Sequence, residues 1–153
     1  LRWSGKAWEI LPGTDRTAWN GIVISKGHLY VTNTFEKKLY DFHLGDSAAP
    51  KTLDLKFSPD NLRMSKDGAI TTAGFFPGEA GIASGCFVKD VETCGLKFAF
   101  GRIDPRTLAF TCLEEMEPQP GFDSSTVAIP IGKELWVGTM MGRAVMTTTR
   151  CTN

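Results

Sequence analysis

Apolar and polar positions alternate along this chain in short runs, and one arrangement of them returns three times. Asn20-Gly21-Ile22-Val23-Ile24-Ser25 leads through Lys26-Gly27 into His28-Leu29-Tyr30-Val31-Thr32-Asn33. Asp60-Asn61-Leu62-Arg63-Met64-Ser65 leads through Lys66-Asp67-Gly68 into Ala69-Ile70-Thr71-Thr72-Ala73-Gly74. Ser125-Thr126-Val127-Ala128-Ile129-Pro130-Ile131 leads through Gly132-Lys133 into Glu134-Leu135-Trp136-Val137-Gly138-Thr139. Each copy reads as strand, tight turn, strand, with Gly27, Gly68 and Gly132 where a positive φ is cheap only for glycine. Comparable runs predict strands over 38–44, 51–55, 96–103, 107–113 and 143–148, and a hairpin within residues 1–11. Glu114-Glu115-Met116-Glu117-Pro118-Gln119-Pro120-Gly121 reads as a solvated, proline-broken loop. No stretch carries the i, i+3, i+4, i+7 apolar spacing over a helical length.

Many short strands punctuated by Gly and Pro predict an all-β fold. The unit at Gly21 and the unit at Asn61 stand 40 positions apart, the length of a four-stranded propeller blade. The expected architecture is therefore a β-propeller with about three four-stranded blades in this chain. Residues 1–11 would be the outer strands of an earlier blade, 20–57 one blade, 60–115 a second with a Gly-rich insertion at 75–95, and 124–150 the last. Three blades leave two open apolar faces, which calls for a partner: a second copy in a homodimer, or another chain carrying the other half-ring. A chain whose first residue is Leu1 leads us to expect a processed chain or a fragment.

Charge narrows the partners. Seventeen basic residues balance seventeen acidic ones, so bulk attraction to nucleic acid is not expected. No apolar run approaches the roughly 20 residues of a membrane-spanning helix, and no signal peptide is recognisable.

Four cysteines, Cys86, Cys94, Cys112 and Cys151, include no CxxC pair, which disfavours a zinc ribbon. Cys86 and Cys94, flanked by glycines, read either as a disulfide stapling a hairpin or as two partly buried thiols. The first reading implies an oxidising compartment, such as the secretory route. His28 at a turn and His43 near a strand end have no His or Cys at ligand spacing, so both read as surface histidines without chemistry. Ser124 and Ser125 lack the G-x-S-x-G elbow of a serine nucleophile. The four Trp and ten Phe read as core and inter-blade packing; Phe75, Phe76 and Phe87 are also candidates for a pocket mouth. Asn20-Gly21, read singly, is a turn dipeptide, and Asp60-Asn61 after Pro59 an Asx-turn. Read together, at matching repeat positions, they are candidate ligands facing one axis.

Ala18-Trp19-Asn20-Gly21-Ile22-Val23-Ile24-Ser25 with His28-Leu29-Tyr30-Val31 resembles a blade start of the paraoxonase/arylesterase-like propellers. Pro59-Asp60-Asn61-Leu62 with Asp67-Gly68 resembles the next blade start. Ser124-Ser125-Thr126-Val127-Ala128 with Lys133-Glu134-Leu135-Trp136-Val137-Gly138-Thr139 resembles that family's final blade. The three motifs stand in the family's order and span essentially the whole chain, which would be the C-terminal half of a six-bladed ring. Gluconolactonases and regucalcin share the Asn-Gly and Pro-Asp elements.

The resemblance implies a calcium-dependent hydrolase of esters or lactones, acting on a small-molecule substrate at the propeller axis. Asn20, Asp60 and Asn61 would hold Ca2+, with Asp60 the metal-linked catalytic group. Hard oxygen ligands of this kind suit calcium, which in the family polarises the substrate carbonyl. The family's histidine base would lie in the other half-ring. Phe76 stands where the paraoxonase branch has histidine, and Cys151 falls a few residues after the place of that branch's terminal cysteine. These departures keep two alternatives open: a non-catalytic binding or scaffold propeller, and a propeller enzyme of strictosidine-synthase-like or isomerase chemistry.

Overall fold

A computed structural model describes residues 1–45, 48–78 and 93–152. Among them are thirteen strands in four antiparallel sheets and no helix, hence none long and apolar enough to cross a membrane. A two-stranded hairpin, β1 (Arg2–Trp3) and β2 (Trp8–Glu9), comes first. The second sheet is a meander of β3 (Trp19–Ser25), β4 (His28–Asn33), β5 (Lys38–His43) and β6 (Lys51–Asp54). The third is the meander β7 (Ser58–Met64), β8 (Ile70–Phe75), β9 (Phe98–Asp104) and β10 (Ala109–Met116). The fourth holds β11 (Ser125–Ile131), β12 (Glu134–Thr139) and β13 (Met146–Thr148). The glycines that end the β3, β7 and β11 hairpins all take positive φ: Gly27 +80°, Gly68 +86° and Gly132 +62°. Lys26 before Gly27 is also at φ +48°, as a two-residue type I′ hairpin requires.

The three larger sheets stack face on face. Tyr30, Leu39, Phe57, Leu62, Ile70 and Ile103 fill the space between the β3–β6 and β7–β10 sheets. Ala73, Phe98, Phe100, Ala128, Leu135 and Val137 fill the space between the β7–β10 and β11–β13 sheets. Alternation along β8 and β9 sends Ile70, Ala99 and Ile103 to the first core and Ala73, Phe98 and Phe100 to the second. A disulfide between Cys112 of β10 and Cys151 ties the chain after β13 to the middle sheet. The expected Cys86–Cys94 pairing falls on Cys86, which lies outside the described residues, as does Phe87.

Some expectations are corrected. Glu114 to Met116 are strand, not loop: they finish β10 opposite Phe98 to Phe100. Their carboxylates are tolerated there because Glu114 pairs with Arg150 and Glu115 with Lys97, both at 2.9 Å. The tryptophans are not core. Trp3 (53% exposed) and Trp8 (66%) cover only each other across the β1–β2 hairpin, and Trp136 (40%) lies on the uncovered side of the β11–β13 sheet. Trp19 alone joins an apolar cluster, edge-on to Tyr40 over Leu29, Val31 and Phe42 on the face of the β3–β6 sheet turned away from the β7–β10 sheet. Phe75 is core rather than pocket lining.

Candidate functional site

The first strands of the three large sheets, β3, β7 and β11, run side by side, and each carries a β-bulge near its start. The pairing register slips between Trp19 and Ile22, between Pro59 and Leu62, and between Ser125 and Val127. The bulges therefore fall on Asn20-Gly21, Asp60-Asn61 and Thr126. This also explains why β3 and β7 begin earlier than the apolar run alone suggests. Neither Asn20-Gly21 nor Asp60-Asn61 is a chain-reversing turn. Each is an extra residue inserted in a strand, a device that re-aims side chains.

Two threonine hydroxyls clamp the first two bulges together. Thr32 Oγ1 accepts a hydrogen bond from the Gly21 amide (2.7 Å) and donates to the Asp60 carbonyl (2.6 Å). Thr34 Oγ1 donates to the Pro59 carbonyl (2.8 Å) and accepts from Asn20 Nδ2 (3.2 Å). The approach is close enough to exclude any side chain at Gly21, whose Cβ would stand 2.5 Å from the Asp60 carbonyl oxygen and from the Leu62 nitrogen. On the other side of the middle sheet, Thr71 Oγ1 donates to the Ala128 carbonyl (2.6 Å). The Ser125 hydroxyl lies 2.8 Å from the Gly74 carbonyl and 3.0 Å from that of Ala99, and its one proton serves either. Its neighbour Ser124 is wholly buried at φ +46°. Neither serine is placed as a nucleophile.

Asn20, Asp60 and Asn61, from two different sheets, are thereby brought together. Asn61 Nδ2 donates to Asp60 Oδ1 at 2.8 Å, and Asn20 hydrogen-bonds the same carboxyl. Burial pushes the Asp60 carboxyl up to about 6, a rise that the Asn20 hydrogen bond only partly opposes. Amides can donate to a carboxylate but cannot neutralise it. The arrangement sets one desolvated carboxyl beside two side-chain amides, whose oxygens, turned inward, would join it as hard ligands for a divalent cation. Thr126 occupies the matching bulge of β11, the same repeat position. Only the three-fold alignment of the units points to it.

A pair that the sequence spacing concealed lies in the β3–β6 sheet. His28 Nδ1 is 2.7 Å from Asp41 Oδ1, and the Asp41 side chain is only 4% exposed. Asp123, too, carries no signal in the sequence pattern. It is fully buried and accepts the backbone N–H groups of Gly95 and Leu96, holding that segment to the chain before β11. A third group, Cys112, Glu114 and Cys151, has metal-ligand composition. Its two sulfurs are consumed in the disulfide and its carboxylate in the pair with Arg150. Phe76 packs against Phe57, ring centroids 6.2 Å apart, with Lys97 Nζ 4.9 Å from the centre of its own ring.

No protein-family profile and no curated protein sequence matches this chain.

Proposed function

We propose that the three stacked sheets are blades of a β-propeller, that the bulges of β3 and β7 form one side of a calcium site on its axis, and that the protein hydrolyses esters or lactones there. The observation that carries this reading is the convergence of Asn20 and Asn61 on the desolvated Asp60 carboxyl. The donor set fits Ca2+: Asp60 supplies the charge, and Asn20 and Asn61 supply neutral oxygens. Bound there, calcium would polarise a substrate carbonyl and favour the negative charge that develops on its oxygen. The residues of this chain orient the site. Thr32 and Thr34 hold the β3 and β7 bulges at a fixed separation, and Gly21 lets them approach.

Calcium takes six to eight oxygens, so the remaining ligands would come from further blades. The ring would be completed by a second copy of this chain or by a chain with the other half-ring. Both end faces of the stack favour such closure. One has Ile22 58% and Ile24 65% exposed beside an apolar groove of about 430 Å3; the other has Ile129, Ile131 and Trp136 at 38%, 54% and 40%.

Phenyl acetate and a simple lactone, assayed in calcium buffer with the native assembly, test the reading. Hydrolysis should fall at least 100-fold on chelation and in Asp60→Ala. Absence of calcium binding in an isothermal titration of the assembly would sink it. A non-catalytic propeller is the second reading, favoured by the phenyl ring of Phe76 at the paraoxonase histidine position and its packing on Phe57. It predicts calcium binding without hydrolysis.

A further inference from the structure

His28 and His43 are fifteen positions apart in sequence but directly opposite each other on β4 and β5. Their ring centroids are 5.0 Å apart and their planes cross at 67°. We propose that this cross-strand pair is a binding site for a transition-metal dication of the zinc, nickel and copper class, independent of the Asp60 cluster. Three observations carry the assignment.

The first is separation. With metal–nitrogen bonds of about 2.0–2.1 Å, two imidazoles on one metal at a near-tetrahedral angle have their ring centres about 5 Å apart. The observed 5.0 Å between the ring centroids matches that separation.

The second is orientation. The buried Asp41 carboxylate engages His28 Nδ1 at 2.7 Å. A neutral His28 then carries its proton on Nδ1 and presents the Nε2 lone pair, which is the arrangement of a carboxylate–histidine–metal relay. Tyr30 stacks on the same ring, centroids 5.9 Å apart with an interplanar angle of 15°, and restricts its swing.

The third is the field and the access. His28, Tyr30, Asp41 and His43 share one side of the sheet by strand alternation. The buried Asp41 carboxylate puts negative charge beside the pair. Solvent reaches the pair: the His28 side chain is 33% exposed and His43 is an exposed residue. Two imidazoles select borderline metals over Ca2+ and Mg2+, which prefer oxygen. Water would fill the other coordination positions.

Isothermal titration of the disulfide-intact protein with zinc chloride, and separately with nickel chloride, in calcium-containing buffer tests the site. One metal per chain is expected. His43→Ala, at an exposed position, and His28→Gln should each abolish it. Asp41→Asn should keep the stoichiometry and weaken affinity 10–100-fold. Asp60→Ala should leave zinc binding unchanged, so failure of the calcium reading and failure of this one are separable. No binding of either metal, or binding undiminished in His43→Ala, would overturn the proposal. If Asp41→Asn does not fold, His43→Ala alone decides.

Discussion

Asp60 pays for its position with its proton affinity. Burial raises its carboxyl to about 6 in the folded chain, whereas an unfolded chain releases that proton near 3.9. Between those values the folded state binds more protons than the unfolded one, so stability contributed by this group is present at low pH and lost as pH rises through about 6. The cost at neutral pH is on the order of 2 kcal/mol once solvent screening of this half-buried group is discounted. Urea denaturation of the wild type and of Asp60→Asn should give a difference that widens between pH 4 and 7 in favour of the variant. Saturating calcium should close the gap, since a bound cation favours the ionised form. A difference independent of pH would mean that the carboxyl is not desolvated. Asp60 and the two asparagines were readable from the sequence because they are adjacent or repeat-related. His28–Asp41 was not, because the contact is diagonal across two strands and depends on a register that no local spacing encodes.

At the level of strands, the bulges decide how closely neighbouring sheets meet. Gly21→Ala would put a methyl group 2.5 Å from two backbone atoms of β7. Backbone cannot yield as a flexible side chain does, so a loss of about 1–3 kcal/mol is expected, together with weaker calcium binding as β3 is pushed from Asp60. Gly78→Ala, with no atom within 4 Å of the added Cβ, should be neutral in the same thermal melts. Strand positions were largely legible because alternation and the turn glycines agree: Gly27, Gly68 and Gly132 each close the hairpin their spacing predicts. The end of β10 was not. Three glutamates among residues 114–117 read as solvent, and what makes two of them strand residues is Lys97 and Arg150, distant cations visible only once the chain is folded. The exposure of Trp3, Trp8 and Trp136 was hidden for a related reason. Hydrophobicity says that a side chain favours burial, not that a surface is present to bury it.

Across the described residues, the β7–β10 sheet is the one that packs between two other large sheets; the β3–β6 sheet meets it on one face and carries on the other a smaller cluster of Leu29, Val31, Tyr40 and Phe42 under Leu11 and Trp19, while the β11–β13 sheet turns its second face outward. A linear stack of this kind behaves as a short nearest-neighbour chain, in which an outer unit can open at the cost of one interface and the central unit only at the cost of two. Amide hydrogen exchange should therefore be graded rather than uniform. The amides of Thr71, Thr72 and Phe100, all fully buried, should exchange only with global unfolding. Those of β3 and β12 should escape earlier through partial openings. Anything that seats itself on an end face would slow exchange in the sheet it covers and leave the centre almost unchanged, so exchange rates alone would locate it. Equal protection in all three sheets would mean that they open together as one cooperative unit.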